Sequence, residues 1–133
     1  MQKIGDLRNR TDQYAIFGGL GGMFFLEELG RGAVGTMTGF AFSEILVAVY
    51  RAFKSGDKAR AEQIFDRYLP LIRFENQPVI NLSIRKELLH RRGAIASARL
   101  RDPFVPIDRG SLDEIGQILR RVGIADPTQK LVI

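Results

Sequence analysis

Glycine spacing is the first feature of this sequence that could serve chemistry. The segment GRGAVGTMTG (30–39) contains the pattern G-x-G-x-x-G at Gly30, Gly32 and Gly35, the spacing of loops that bind dinucleotide phosphates. Such a loop follows a strand and begins a helix, because the helix N-terminus supplies the N–H groups that bind the anion. Here the pattern follows a helix-compatible segment and leads into a strand-compatible one. We therefore interpret Gly30 and Gly32 as a helix stop and a tight turn.

A second glycine-rich segment, GGLGG at Gly18–Gly22, has the order that a ligand-binding loop requires. It follows the apolar run YAIF (Tyr14–Phe17) and precedes the helix-compatible MFFLEEL (Met23–Leu29). It lacks the Lys-Ser/Thr pair of a P-loop. A loop beyond the carboxyl end of a strand is where α/β proteins bind ligands. The segment therefore indicates a ligand-facing loop without identifying the ligand.

Metal-ligating and acid–base residues are sparse. The sequence has no cysteine and a single histidine, His90, so disulfides and thiolate metal sites are excluded and no metal-ligand spacing exists. Glu75, within RFENQ (73–77), is an isolated carboxylate. We expect Glu75 and Asn76 to anchor helices through hydrogen bonds to the backbone. No metal or cofactor is predicted.

The net charge of +5 raises nucleic-acid binding as an alternative function. The basic residues are spread along the chain among acids, and the densest group has no aromatic interleaving, so we favour a solvated or subunit-facing surface. Arg99 and Arg101 are expected to pair with nearby aspartates or with a neighbouring subunit. Asp102 and Asp108 are the nearby candidates. The densest basic group comprises Arg85, Lys86, His90, Arg91 and Arg92.

Composition places the 133-residue chain among soluble globular proteins, since 45% of its residues are hydrophobic and 26% are charged. No apolar run approaches the roughly 20 residues needed to cross a bilayer. The N-terminal MQKIGDLRNR lacks the apolar core of a secretory signal. We expect a cytoplasmic protein that does not bind membranes.

Two strand–helix units must position the glycine segments. Tyr14–Phe17 is predicted as a buried strand and Met23–Leu29 as the helix that follows it. AVGTMTG (33–39) is predicted as a second short strand. Ser43 is expected to cap a helix over Glu44–Phe53, which should be largely buried because it is apolar nearly all round.

After Gly56 the pattern becomes helical. Asp57 is predicted to cap a helix that Pro70 ends. A further helix is predicted around Val79–Arg92, and SLDE (Ser111–Glu114) has the spacing of a capping box that begins a final helix. The residues expected to face inward are Ala61, Ile64, Phe65, Tyr68, Ile80, Ile84, Leu88, Ile115, Ile118, Leu119 and Val122.

Taken together, these segments resemble the dihydrodipicolinate synthase / N-acetylneuraminate lyase family. The resemblance runs through AIFGGLGGMFFLEELGRGAVGTMTGFAF, SGDKARAEQIFDRYLPLIRFENQ and KELLHRRGAIASARLRDPF, which together cover nearly the whole chain. The branch containing 2-keto-3-deoxy-L-arabonate dehydratases is the most similar, through the glycine segment, LPLIRFENQ and GAIASARLRDP.

The resemblance implies an α/β fold: the C-terminal part of a (β/α)₈ barrel followed by a helical C-terminal extension. It maps Tyr14–Phe17 onto the seventh strand and Val34–Thr38 onto the eighth. Residues 1–55 would then be the end of helix six and the last two strand–helix units, and residues 56–133 the extension. A complete barrel takes ~250 residues, so about six strands are expected upstream.

The resemblance also implies Schiff-base chemistry. Family members join a lysine of the sixth strand to the carbonyl of pyruvate or a 2-keto acid, and a tyrosine from an earlier strand relays protons. Desolvation lowers the pKa of that lysine, so its amine becomes nucleophilic. Neither residue is expected in this chain, because Lys3 is too close to the seventh strand and Lys86 lies in the extension. The tyrosines expected in the core instead are Tyr14, Tyr50 and Tyr68.

The resemblance implies that this chain carries part of the substrate-binding site. Gly18 and Gly19 at the end of strand seven, with Met37 and Thr38 of strand eight, would contact the pyruvyl carboxylate and the imine. Met37 can equally be a packed barrel residue, whereas the Thr38 hydroxyl can donate to a carboxylate. Acidic residues that many relatives carry after strand seven are replaced by Leu20–Gly21, which leaves the substrate tail open.

Two hypotheses about function follow. In the first, the chain is a segment of a class I lyase, an aldolase or dehydratase acting on pyruvate or 2-keto-3-deoxy sugar acids, and is inactive alone. In the second, it is a non-catalytic partial barrel that forms a homo-oligomer or binds a complementary barrel half. The second rests on exposure, because two parallel strands by themselves leave unpaired edges and an apolar face.

Overall fold

The computed structural model describes residues 2–10 and 14–133. Residue 1 and residues 11–13, which belong to the predicted barrel part, lie outside the described residues. No helix in the described ranges has the length and apolar character to cross a membrane. The elements in chain order are α1 (Gln2–Arg10), β1 (Phe17–Gly18), a 3₁₀ turn (Leu20–Gly22), α2 (Phe25–Gly30), β2 (Gly35–Thr36), α3 (Ser43–Lys54), α4 (Lys58–Glu75), α5 (Asn81–Arg91) and α6 (Arg109–Arg121).

The two strands form a parallel pair. Phe17 of β1 lies opposite Gly35 of β2, and the ladder continues where the Met37 N–H donates to the Gly18 carbonyl at 3.0 Å. Parallel strands need a crossover connection, and α2 lies within it, while α3 follows β2. The predicted order of two strand–helix units is therefore confirmed, with both strands shorter than expected.

The expectation that Tyr14–Phe17 is a buried strand is wrong. The Phe17 side chain is 55% exposed and the Tyr14 side chain 68% exposed. Helix α2 packs against one face of the sheet, where its Glu28 contacts Gly18. Phe17 points to the opposite face, which no element in the described part of the chain covers. An apolar run is buried only where a second layer covers it.

One cluster of buried apolar side chains spans both predicted parts of the chain, from Phe25 in α2 to Ile124 after α6. The inward stripes predicted for α4 and α6 are buried, and so are Ile84 and Leu88 of α5, while Ile80 is half-buried. Helix α3 differs from expectation, because Val47 is 45% exposed. Within residues 14–133, Leu131 and Ile133 line a groove beside this outer face without covering Val47, so the helix is less buried than its composition suggests.

Helix α4 continues through Pro70 to Glu75, so the prediction that Pro70 ends it is wrong. Proline has no N–H and costs the helix one backbone hydrogen bond. Continuing the helix buries Leu71 and Ile72 completely and Phe74 almost completely. Burying large apolar side chains contributes roughly 1.5–3 kcal/mol each, which offsets the local cost of the proline.

Two of the three predicted helix caps are wrong. Ser43 is the first residue of α3, not its cap, because the backbone is already helical at Ser43. Helix α6 begins at Arg109, ahead of the predicted capping box: Asp108 is the cap, and its Oδ1 accepts from the Ser111 N–H at 2.8 Å. The Asp57 cap of α4 is confirmed by a 3.0 Å hydrogen bond.

Candidate functional site

The carboxyl ends of β1 and β2 meet at one edge of the sheet. Gly18–Gly22, here the glycine loop, begins at the last residue of β1, and Met37–Phe42, here the β2 loop, follows β2. Because parallel neighbouring strands end on the same side, the two loops lie next to each other there. Ligands of α/β proteins bind at such edges, so this pair of loops is the candidate site.

The four residues predicted to contact substrate all lie at this edge, and the structure distributes them over two faces. A Cβ on Gly35 would meet the Phe17 ring, and strand alternation puts Met37 on that same uncovered face. The Met37 side chain is 75% exposed. Thr38 alternates to the helix side, where it lines a groove of about 420 Å³ next to α3. Gly18 and Gly19 bring their backbone to the end of β1.

The Thr38 hydroxyl is partly used within the β2 loop. Its Oγ1 accepts from the Phe40 N–H at 2.9 Å. A hydroxyl has one proton and two acceptor lone pairs, so Thr38 keeps its proton for donation to another group. The neighbouring Thr36 lines the same groove, and its buried Oγ1 has no hydrogen-bond partner among the described residues.

Glu28 of α2 supports the glycine loop, a role that our sequence reasoning missed. Its side chain is 5% exposed, and its Oε1 accepts from the Gly19 N–H at 3.2 Å. Its Oε2 has no partner within the described ranges. The carboxylate lies so close to Gly18 that a Cβ there would overlap it. The sequence did contain a signal for this burial. Glu28 lies next to Leu29 and one turn after Phe25, so it falls on the buried stripe of the helix.

Glu75, at the end of α4, contacts the β2 loop. Its Oε2 accepts from the Ala41 N–H at 3.0 Å, and its Oε1 accepts from Arg85 Nε at 2.7 Å. The residue is 1% exposed. Burial raises the pKa of the Glu75 carboxyl, and the hydrogen bonds from Arg85 and Ala41 partly oppose that shift.

Asn76 caps the same helix and contacts the glycine loop. Its Nδ2 donates to the Leu20 carbonyl at 2.9 Å. The loop approaches this amide closely at Gly21, where φ is +65° and a Cβ would overlap the Asn76 side chain. Glycine is required there by its conformation and by the lack of space. The prediction that Glu75 and Asn76 anchor the extension helices through backbone hydrogen bonds is confirmed for the end of α4, which they join to Ala41 and Leu20.

Three arginines of the basic group pair within the chain while their side chains stay 19–28% exposed, and His90 is exposed. A subunit-facing role for this surface stays a prediction. Arg92 donates to the Ala41 carbonyl and pairs with Glu44 at 2.6 Å. Arg91 pairs with Glu87 at 2.7 Å, and Arg85 pairs with Glu75 as described. Because these cations bind acids and carbonyls of their own chain, they carry little free charge for a phosphate backbone.

The amines and phenols lie away from the strand ends or on the surface. Lys3 is exposed on α1, as expected, and Lys86 Nζ donates to the Arg99 carbonyl. Tyr68 is buried at 5% exposure and Tyr50 is half-buried. Tyr14 is not a core residue, because it precedes the paired part of β1 and no described element covers it.

Arg99 and Arg101 form no ion pair with the two predicted aspartates in the part of the chain that the structure describes. The Asp108 carboxylate binds the N-terminus of α6 instead. Asp102 lines an open groove together with both arginines, but the charged groups do not pair. Pairing with a neighbouring subunit stays a prediction.

The chain is similar in sequence to proteins of one known family. The chain matches the model of the dihydrodipicolinate synthetase family over residues 1–122. It is 32% identical over 97 residues to an L-2-keto-3-deoxyarabonate dehydratase of Azospirillum brasilense, across 73% of this chain and 31% of that protein.

Two solved structures share the fold. The dihydrodipicolinate synthase of Rhodopseudomonas palustris gives a TM-score of 0.86 at 37% identity, over 90% of this chain and 42% of that one. The 4-hydroxy-tetrahydrodipicolinate synthase of Methylacidiphilum fumariolicum SolV gives 0.75 at 24% identity, over 91% and 40%. The chain therefore spans about a third of the length of the curated relative and about two-fifths of the solved chains.

Proposed function

Because the chain belongs to the dihydrodipicolinate synthetase family, we propose that it is a segment of a class I, Schiff-base lyase of the cytoplasm. Residues 1–55 form the C-terminal part of the barrel, and residues 56–133 form its helical extension. The reaction is an aldol addition of pyruvate to an aldehyde, or the aldol cleavage or dehydration of a 2-keto-3-deoxy sugar acid. The relative in Azospirillum brasilense, an L-2-keto-3-deoxyarabonate dehydratase, supports a sugar-acid substrate.

The observation that carries this proposal is the parallel pairing of β1 with β2, with a glycine loop directly after β1. In a (β/α)₈ barrel, the catalytic residues sit at the carboxyl ends of the strands, on the loops that follow them. The glycine loop and the β2 loop occupy that position. Residues far apart in the chain, Glu28 and Asn76, hold the glycine loop there.

Each proposed contact residue has a distinct role. Gly18 and Gly19 allow the substrate to approach the backbone, because they present no side chain. Met37 presents an apolar surface on the uncovered face of the sheet. The Thr38 hydroxyl lies on the helix side of the sheet, and its oxygen already accepts from the Phe40 amide. In this proposal it donates its proton to a substrate carboxylate bound beyond the end of β2.

We propose that the chain alone is inactive, since the amine of a Schiff-base lyase must lie at the strand ends in a desolvated setting. Lys3 is exposed on α1 and Lys86 binds the Arg99 carbonyl on α5. The reactive lysine then belongs to a strand upstream. Metal ions and redox cofactors have no part in this mechanism, because the imine itself accepts the electron pair.

Borohydride trapping tests the proposal. The chain is incubated with pyruvate or 2-keto-3-deoxy-L-arabonate and borohydride, alone and after assembly with an upstream barrel segment of the family that carries the strand-six lysine. We expect an adduct only in the assembly and only on the upstream segment, and we expect less of it when Thr38→Val removes the carboxylate donor. A stoichiometric adduct on Lys3 or Lys86 of the isolated chain would contradict the proposal.

A second function, a non-catalytic partial barrel that associates through its open sheet, is favoured by surface exposure. Phe17, Met37 and Leu20 are 55%, 75% and 66% exposed near one edge of the sheet. Such apolar surface favours a homo-oligomer or a complementary barrel half. We expect Phe17→Ser to lower the mass seen by analytical ultracentrifugation, whereas Val132→Ser, at a position 99% exposed elsewhere, leaves it unchanged. A folded wild-type monomer at low concentration argues against this function.

A further inference from the structure

We infer that Glu75 and Asn76 are positioning residues of the candidate site, which together fix the glycine loop relative to the β2 loop. The helical extension would then act on the site as well as on the core. The substrate-facing role of the two loops rests on the proposed function, whereas the positioning itself can be measured without any substrate.

The two residues are consecutive in the chain and have opposite hydrogen-bonding chemistry. Glu75 accepts from the Ala41 N–H of the β2 loop, at 3.0 Å. Asn76 donates to the Leu20 carbonyl of the glycine loop, at 2.9 Å. One helix end therefore contacts both loops, across 34 and 56 residues of sequence.

Helix α4 can serve as a fixed support because its inner face is completely packed. Leu71 and Ile72, one turn before Glu75 and Asn76, are both 0% exposed. Displacing the end of such a helix would open a cavity in the packed core, which is unfavourable. The separation of the two loops is therefore set by the helix, and neither loop can shift without losing a hydrogen bond.

Other contacts hold one loop each. Arg92 donates to the Ala41 carbonyl, and Arg85 lies beneath Gly39 in the β2 loop, where a Cβ would meet its Nη1 at 2.5 Å. Glu28 binds only the glycine loop, through Gly19. Within residues 14–133 the hydrogen bonds that reach both loops from one helix end are those of Glu75 and Asn76.

The following residue, Gln77, provides a matched control. Its Nε2 donates to the Phe74 carbonyl at 3.1 Å, within the same helix end, and makes no hydrogen bond to either loop. Gln77→Ala therefore removes a side-chain amide of similar chemistry from the adjacent position. Any effect shared by Asn76→Ala and Gln77→Ala belongs to the helix end and not to the loops.

Amide hydrogen exchange of the whole chain, followed by NMR, tests the inference. Gly22 and Met23 donate to carbonyls inside the glycine loop, so their exchange rates report its opening. We expect Asn76→Ala to speed both rates roughly threefold to tenfold, the range for one lost hydrogen bond, with the Ile72 rate unchanged. Gln77→Ala should leave Gly22 and Met23 at the wild-type rates.

The contact between Glu75 and the β2 loop is measured at the Ala41 amide, which donates to the Glu75 carboxylate. The Ala41 amide proton shift should follow pH as the Glu75 carboxyl titrates, and Glu75→Gln, which keeps a side-chain oxygen, should flatten that curve. Equal acceleration at Ile72 and at the loops would show a global effect only and overturn the inference. So would unchanged loop exchange in Asn76→Ala.

The two proposals fail separately. Absence of a trapped adduct in the assembled barrel, with the expected exchange pattern, would overturn the proposed function and leave the positioning intact. A trapped adduct, together with loop exchange rates that Asn76→Ala leaves unchanged, would support the proposed function and overturn the positioning role.

Discussion

The backbone of Gly18 lies directly against the carboxylate of Glu28, with no space for a side chain between them. Glu28 is buried in this position and binds the next amide, that of Gly19, at 3.2 Å. The end of β1 and helix α2 are therefore joined by a buried polar contact. A buried polar group is costly unless it is paired, so this contact depends on glycine at position 18.

Gly18→Ala is expected to lower the free energy of unfolding by about 1–3 kcal/mol, the usual range for overpacking. The added methyl group must displace the buried Glu28 carboxylate. Urea denaturation followed by circular dichroism measures the change. Gly19→Ala is the matched control: a Cβ there has no neighbour within 4 Å among the described residues, and its φ of −159° is extended backbone. Equal destabilisation by both substitutions would contradict the close contact.

The raised pKa of the Glu75 carboxyl should give the stability of the protein an unusual pH dependence. Burial raises its pKa above the ordinary value of 4.5. The folded protein then holds this proton more tightly than the unfolded chain does, so the contribution of Glu75 to stability is fully present below about pH 4.5 and is lost as pH rises through the raised pKa. Glu75→Gln removes this titration. The free energy of unfolding of the wild type should fall relative to the variant as pH rises from 4.5.

Urea midpoints of both proteins across that pH range provide the measurement. Arg85→Gln offers a second check, because loss of the guanidinium should raise the Glu75 pKa further and extend the loss of stability to higher pH. A constant difference between wild type and Glu75→Gln at every pH would show that the Glu75 pKa is not raised.

Asp126 is predicted to titrate in the opposite direction. The Thr128 hydroxyl donates to its carboxylate at 2.6 Å and the Thr128 N–H at 2.9 Å, and these bonds hold the pKa of Asp126 below its ordinary value of 3.8. Stability linked to this group is present above pH 3.8 and is lost as pH falls through the lowered pKa. Thr128→Val should raise the pKa of Asp126 in a ¹³C carboxyl NMR titration, whereas Thr128→Ser, which keeps the hydroxyl, should leave it low.

The start of α6 can be tested by comparing two candidate caps. Asp108→Ala is expected to lower the free energy of unfolding by about 1 kcal/mol, because the Asp108 carboxylate accepts from the Ser111 N–H at the helix N-terminus. Ser111→Ala should cost much less, since Ser111 lies inside the helix. Thermal unfolding measures both. A larger loss of stability in Ser111→Ala than in Asp108→Ala would contradict the Asp108 cap and support the capping box predicted at Ser111.

Local pattern predicted much of the fold. The helical stripes were correct because apolar residues at a period of 3.6 can be buried together only on one helix face, and the Asp57 cap was correct because its carboxylate acts within three residues. The meeting of the glycine segment and AVGTMTG at one edge was implied by the family resemblance, which maps the two segments onto neighbouring barrel strands. The helix boundaries at Pro70 and Ser111 were wrong, because local rules omit the burial gained by continuing α4 and the competing cap at Asp108.

The sequence by itself determined the helices, the order of the strand–helix units and the family, because these depend on short-range periodicity and on the identity of residues along the chain. Only the tertiary structure decided that Glu28 lies beneath Gly18, that Glu75 and Asn76 hold two different loops, and that Phe17 is exposed. Those outcomes depend on groups brought together from distant positions and on which surfaces another layer covers. No local pattern contains that information, since burial and hydrogen bonding are properties of neighbours in space.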